Sequence, residues 1–220
     1  MEELINVDRS SLRRFLVRWY GMPDLPVTDG EMPSHVPLAL REWHRLGTSW
    51  SKPITVMNKP VPLGDLIQIE NKTVFWEEAQ GGQVWGFERQ DDEANAGVMR
   101  SDPNTYPMEW TETEEDIYQF LLHATVFEAV WNSDFSITAH DVDPMTLADM
   151  LKEFDELSLP RWSWPAEETR LLVDSENLAL VLRRRAPEAR VSSAYVVLSS
   201  QSLDAINYFL RFSVDWQRNF

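Results

Sequence analysis

The chain has 220 residues, no cysteine and a net charge of −16. The lack of cysteine excludes disulfide scaffolds, thiol catalysis and cysteine-ligated zinc, and a chain of this length buries a sizeable core without such aid. No stretch approaches the roughly 18 apolar residues of a membrane span, and the first residues carry no basic, apolar leader. We therefore expect a soluble, cytoplasmic protein that makes no membrane contact.

The acidic residues are unevenly distributed along the chain. Residues 101–160 hold 14 acidic residues and one basic residue, whereas residues 161–220 hold 7 and 8. Phosphate backbones are bound by Lys and Arg, so this balance disfavours direct nucleic-acid binding. A concentrated acidic surface instead favours encounter with a basic protein partner. The alternative explanation is that the acidic residues only keep the chain soluble.

Two amphipathic helices are predicted before residue 50. In residues 8–20 four apolar side chains recur at helical spacing, and Gly21 follows where a C′ glycine belongs. The second helix is predicted within residues 33–47. There Pro37 suits the first helical turn and Trp43 faces inward.

Residues 66–110 have the pattern of an antiparallel meander. Short apolar runs rich in β-branched and aromatic residues alternate with the polar turns Glu70-Asn71-Lys72 and Gln80-Gly81-Gly82-Gln83. Asparagine and glycine in such turns supply the positive φ that hairpins need. We expect these strands to form the sheet on which the rest of the chain packs.

The remainder of the chain predicts two more helices and a βββα tail. Thr111 and Glu114 have the spacing of a capping box ahead of a helix over residues 114–131. A further helix is predicted over residues 144–157, with an aspartate cap before Pro144. The tail comprises strands at 170–173, 178–182 and 194–198 and a helix that begins near residue 200. Asp174-Ser-Glu-Asn177 is predicted to form the turn between the first two of these strands.

Together these elements predict an α+β fold. Its antiparallel-rich central sheet is packed by the N-terminal and middle helices, and the βββα segment extends it. We assign residues 1–135 to a core domain and residues 136–220 to the C-terminal extension. The tail either continues the first sheet or forms a second lobe, and the pattern alone leaves both open.

Sequence motifs for catalysis are lacking. The chain has no nucleophile elbow, phosphate-binding loop, dinucleotide fingerprint or zinc-binding histidine pair. The segment His140-Asp-Val-Asp143 is the one cluster of histidine and aspartate, and it is expected in a loop beside the helix at Pro144. A metal site there is less consistent with the pattern than an aspartate cap for the helix at Pro144. We expect a protein that is not an enzyme and binds no metal or cofactor.

The order of several short motifs resembles the SUKH superfamily, bacterial toxin-immunity proteins related to yeast cell-wall-synthesis regulators. The matching segments are the proline-led helix 33–47, Glu70-Asn71, Val84-Trp85-Gly86, Asp102-Pro103, Trp110 and Phe127-Glu128-Ala129. Lys72 stands where the family often has glutamine, and Asp102-Pro103-Asn104 replaces its usual double proline. The resemblance implies structural roles for Glu70, Asn71, Trp85, Gly86, Asp102, Pro103 and Trp110.

The resemblance also implies a function. Immunity members of this family are non-enzymatic and bind cognate toxins, frequently nucleases, through variable surfaces. Since nucleases are typically basic, we expect the toxin to bind an acidic surface beside the sheet. The predicted interface comprises Glu77, Glu78, Glu88, Asp91, Asp92, Glu93, Glu112, Glu114, Glu115 and Asp116. The alternatives are a scaffold or regulatory module with no toxin partner and, more remotely, a metal-dependent hydrolase.

Overall fold

A computed structural model describes residues 1–26, 36–88, 96–183 and 193–219. It confirms the α+β class, with antiparallel sheets. The helices are α1 Ser11–Tyr20, α2 Leu38–Gly47, α3 Ile117–Trp131, α4 Pro144–Met150 and α5 Leu203–Asn207. The strands are β1 Asn58–Pro60, β2 Ile67–Ile69, β3 Lys72–Glu78, β4 Val84–Glu88, β5 Gly97–Ser101, β6 Thr111–Asp116, β7 Phe135–Val142, β8 Asp155–Glu156, β9 Glu168–Val173, β10 Asn177–Arg183, β11 Ala194–Ser200 and β12 Gln217–Asn219.

The chain divides into two compact units, which we name by position. The central unit is Leu12–Glu128, and the terminal unit combines Met1–Ser11 with Ala129–Phe220. Each unit contains one sheet of the described strands. The division falls within α3, three residues before its end.

The sheet of the central unit confirms the predicted meander. Strands β3, β4, β5 and β6 are neighbours in chain order, and β1 and β2 both pair with β3. The Glu70-Asn71 turn joins β2 to β3, since Ile69 pairs with Lys72 across it. Glu70 carries the positive φ of this turn, 55°. Gly21, with φ of 82°, follows α1 as predicted.

A bulge in β3 builds the aromatic core of the central unit. The register with β4 shifts between Val74 and Trp76, so Phe75 is an extra residue in the strand. Successive residues of a regular strand point to opposite faces, and the bulge removes that alternation locally. Consequently both Phe75 and Trp76 reach Phe120 of α3, at centroid distances of 5.3 and 5.9 Å. Trp43 of α2 packs edge-on against Trp76 at 5.1 Å.

The terminal unit resolves the alternative left open for the tail. Its sheet has the order β12-β7-β11-β10-β9-β8, separate from the first sheet. Ile206 and Phe209 pack in one apolar cluster with Leu147 of α4 and inward residues of β7, β10 and β11. Asp174 holds the β9–β10 turn as predicted, because its Oδ1 accepts the backbone N–H of Glu176 and of Asn177, both at 2.7 Å.

Three secondary-structure predictions are wrong. The helix predicted over 144–157 ends at Met150, since residues 155–156 form β8 and pair with β9. His140, expected in a loop, lies in β7, a strand that the sequence pattern missed. The helix predicted from Glu114 begins at Ile117, because residues 111–116 are strand β6.

Candidate functional site

A large bulge in β6, opposite β5, forms an acidic cleft in the central unit. Gly97 pairs with Asp116 and Met99 pairs with Glu112, so three residues of β6 lie opposite Val98 alone. The cleft has a volume of about 450 Å³. Its lining comprises Glu88, Gly97, Val98, Met99, Glu112, Glu114, Glu115, Asp116 and Gln119. Among the described residues, five carboxylates and no basic side chain line the cleft.

Two residues of β6 accommodate this bulge, Glu114 through its backbone and Thr113 through its side chain. Glu114 adopts the left-handed conformation, with φ of 64°. The Thr113 hydroxyl donates to the carbonyl oxygen of Val98 at 2.9 Å and satisfies an acceptor of the partner strand. The bulge therefore ends the regular β5–β6 pairing after Glu112 and turns the following acidic residues toward the cleft.

The predicted acidic set divides into three groups. Glu88, Glu112, Glu114, Glu115 and Asp116 line the cleft. Asp91, Asp92 and Glu93 lie outside the described residues. Glu77 and Glu78 are at the opposite end of the β3–β4 hairpin, since Glu77 pairs with Val84 whereas Glu88 pairs with Lys72.

Glu78 has a local structural contact. Its Oε2 accepts the backbone N–H of Gly82 at 2.9 Å, within the turn that connects β3 to β4. Gly81, with φ of 77°, supplies the left-handed residue of that turn. Glu78 therefore stabilises the hairpin and is not brought to the cleft.

Asp116 is the N-cap of α3, which corrects the predicted capping box at Thr111 and Glu114. Its Oδ1 accepts the backbone N–H of Gln119 at 2.8 Å, and Gln119 Oε1 accepts the backbone N–H of Asp116 at 3.0 Å. This reciprocal pair satisfies two N–H groups at the helix start. The spacing Asp-x-x-Gln in the sequence is the pattern that indicates this capping box and the helix start.

Glu115 is buried at the base of the cleft and pairs with His123. The Oε1 of Glu115 lies 2.8 Å from His123 Nδ1, and both side chains are almost fully excluded from solvent. The eight-residue separation spans the end of β6 and two turns of α3. A buried carboxylate needs such a partner, and this pair fixes Glu115 in place.

Glu88 is held by two neighbours at the start of β3, Lys72 in the strand and Asn71 just before it. It forms an ion pair with Lys72, a buried residue, and accepts the side-chain N–H of Asn71 at 2.8 Å. The hydrogen bond and the charge of Lys72 lower the pKa of Glu88, so this carboxylate is ionised at neutral pH. Asn71 and Lys72 thus position one wall of the cleft.

Glu112 and Glu114 remain available to a ligand. Both side chains are exposed, and neither has a hydrogen-bond or ion-pair partner within the described parts of the chain. Three carboxylates of the cleft are committed to structural contacts and two are not. The arrangement can bind a cationic group by charge and by hydrogen bonds to these two carboxylates.

The other residues for which the resemblance implies structural roles make contacts within the central unit. Gly86 of β4 lies against the ring of Trp110, and Trp85 packs on Phe120 at 5.7 Å. Asp102 Oδ1 accepts the backbone N–H of Asn104 at 2.8 Å, in the loop that contains Pro103. These contacts support the sheet around the cleft and are not part of its lining.

Sequence reasoning missed the role of Glu128. This buried carboxylate on α3 accepts the backbone N–H groups of Val56 and Met57 at 2.6 and 2.7 Å, and the side-chain N–H of Asn58 at 2.7 Å. Burial raises the pKa of Glu128 while the three donors oppose that shift. The sequence signal was a glutamate on the apolar face of a helix.

The His140–Asp143 segment does not gather its side chains at one place. The His140 ring packs on Tyr195 at 4.6 Å, and Asp141 Oδ1 accepts the hydroxyl of Ser193 at 2.9 Å. Asp143 caps α4 as predicted, accepting the N–H groups of Met145 and Thr146. Among the residues that the structure describes, no three histidine, aspartate or glutamate side chains meet in a group that could hold a metal ion.

Comparison with known proteins gives no relative. No protein-family model matches the chain, and no curated protein or solved structure matches it either. The described helices include none with the length and apolar character needed to cross a membrane. The resemblance to the SUKH superfamily stays a prediction that rests on the motifs and their order.

Proposed function

We propose that this chain is a non-enzymatic immunity protein that neutralises a basic protein toxin, of nuclease type, in the cytoplasm. The acidic cleft and its rim are the binding surface. Glu112 and Glu114 contact the toxin directly, and the other lining carboxylates add to the negative potential.

One observation carries this proposal. Five carboxylates from β4 and β6 line one cleft, and two of them, Glu112 and Glu114, are exposed and unpaired within the described chain. A concave surface of one charge focuses its field and accelerates encounter with a partner of opposite charge. Such a surface also rejects acidic competitors through like-charge repulsion.

The contacts of the inner carboxylates support binding and not chemistry. Glu115 is held by His123, Asp116 caps α3, and Glu88 is paired with Lys72. A catalytic acid or base must be free to exchange its proton with a substrate. We therefore assign these three residues to shaping the cleft and to its charge.

Co-expression with the protein encoded by the neighbouring open reading frame tests the proposal. We expect the wild-type chain to form a stoichiometric complex and to restore growth of cells that produce this partner. The double variant Glu112→Lys/Glu114→Lys should weaken binding at least tenfold and more strongly at low salt, because it places two cations at the rim.

The matched control is Glu42→Lys/Asp65→Lys. These two residues are exposed in the same unit, outside the cleft, and their replacement changes the net charge equally. Binding should stay within about twofold of wild type. An equal loss in both double variants would show that only net charge matters, and no complex with the wild-type chain would overturn the immunity assignment.

A further inference from the structure

Strand β6 is an open edge of the sheet in the central unit. It has β5 on one side and no strand on the other within the described chain, and its regular part before the bulge, Thr111–Thr113, includes no proline. The opposite edge of this sheet consists of β1 and β2, which have three residues each, and β1 ends in Pro60. In the terminal unit, the edge strands β8 and β12 have two and three residues.

An open edge offers unpaired backbone N–H and C=O groups to another extended chain. On β6, Thr111, Glu112 and Glu114 are exposed and Thr113 is half-buried, so this part of the strand lies at the protein surface. The two threonines are β-branched, which suits a strand that pairs on both sides.

The charge of β6 selects its partner. Four of its six residues are acidic. Like charges opposite one another destabilise a strand pair, so β6 of one copy repels β6 of another. An extended segment with alternating lysine or arginine places opposite charges against the same residues.

We propose that β6 receives a basic, extended segment of the protein partner as an added strand, paired along Thr111–Thr113. The left-handed Glu114 ends the regular edge, and beyond it the basic side chains of the segment enter the acidic cleft. This inference rests on the proposed function and specifies how the same surface holds its partner. Backbone pairing supplies affinity, and the carboxylates supply selectivity.

Two synthetic peptides test this recognition mode with the full chain. The first is a nine-residue peptide that alternates lysine with valine, and the second has the same sequence with N-methylated backbone amides. N-methylation keeps the charge and the side chains but removes the donors that strand pairing needs. We expect the methylated peptide to bind at least tenfold more weakly. We also expect the first peptide to slow amide hydrogen exchange in Thr111–Thr113 but not in β12.

The other outcomes separate the two proposals. Equal binding of both peptides, lost in Glu112→Lys/Glu114→Lys, would overturn strand pairing and retain the acidic binding surface. Equal binding of the first peptide to the wild-type chain and to this double variant would count against the proposed function itself. Protection of Thr111–Thr113 that appears in the protein alone, and rises with its concentration, would assign the edge to a second copy and overturn the inference.

Discussion

Gly86 of β4 lies against the indole ring of Trp110, so close that a Cβ at this position would be in unusually tight contact. A Cβ on Gly86 would be 3.2 Å from Cη2 and Cζ3 of Trp110 and 3.0 Å from the carbonyl oxygen of Thr73. The backbone oxygen cannot move without disturbing the β3–β4 ladder. We expect Gly86→Ala to lower the free energy of unfolding by about 1–3 kcal/mol, measured by urea denaturation.

The matched control for this substitution is Gly64→Ala. A Cβ at Gly64 would meet no atom within 4 Å, so the change should stay within about 0.5 kcal/mol of wild type. The variant Gly86→Ala/Trp110→Leu should recover only part of the loss, because the contact with Thr73 persists. Full recovery would show that the indole ring alone sets the requirement for glycine.

Removing the Glu128 carboxylate should release the segment that enters β1. Glu128→Ala leaves two backbone N–H groups and the Asn58 amide without their acceptor, and we expect a loss of about 2–4 kcal/mol in the free energy of unfolding. Glu128→Gln should cost less. The Oδ1 of Asn58 has no hydrogen-bond partner among the described residues, so a flipped Asn58 amide can accept the new N–H.

The pKa of Glu128 gives a second test, through the pH dependence of stability. Burial raises the pKa above that of a glutamate in the unfolded chain, so the folded state favours the protonated form. Its contribution to stability is complete below the unfolded pKa and is lost as pH rises through the folded pKa. The stability difference between wild type and Glu128→Gln should therefore shrink as pH rises above the usual pKa range of a glutamate. A difference that grows as pH rises would contradict the assignment.

The buried pair of Glu115 and His123 predicts a strong effect at one partner. His123→Leu leaves a buried carboxylate without its imidazole, and we expect a loss of about 3–5 kcal/mol in the free energy of unfolding. Glu115→Gln/His123→Leu should recover part of this loss, because a neutral amide is cheaper to bury. The exposed neighbour Glu112→Gln serves as the control and should stay within about 0.5 kcal/mol.

The start of α3 can be located by alanine substitution. Asp116→Ala and Gln119→Ala each remove one half of the observed capping box, and we expect each to lower the melting temperature through a loss of about 1 kcal/mol. Thr111→Ala should have a smaller effect, because Thr111 is an exposed strand residue. An effect of Thr111→Ala as large as that of Asp116→Ala would restore the helix start predicted from the sequence.

Local patterns predicted the elements that local forces determine. Short β-branched and aromatic runs with polar turns gave the meander, and the Asp174–Asn177 turn and the Asp143 cap followed from side-chain chemistry alone. Strand β6 was missed for a physical reason. Its sequence Thr-Glu-Thr-Glu-Glu-Asp has no apolar alternation and suits a helix start equally well, so pairing with β5 decides its conformation.

The candidate site was predictable in charge and not in geometry. The excess of acidic residues in 101–160 includes four of the five carboxylates that line the cleft. Which carboxylates meet depends on the order β4-β5-β6, which brings Glu88 and Glu112 to one cleft and leaves Glu77 outside it. The burial of Glu115 depends on a histidine eight residues away, a contact that no local pattern encodes.

Because of the bulge at Phe75, the side chains of β3 alternate between the two faces of the sheet in one order before this residue and in the opposite order after it. Before it, Val74 belongs to a small apolar cluster with Val61 and Val84, and after it Trp76 packs with the helices on the other side of the sheet. An insertion or deletion of one residue elsewhere in β3 would exchange the two faces for every residue beyond it. Deletion of Phe75 would instead remove the bulge and keep the pairing of Val74 with Gly86 and of Trp76 with Trp85, so the register on both sides of Phe75 does not depend on this residue.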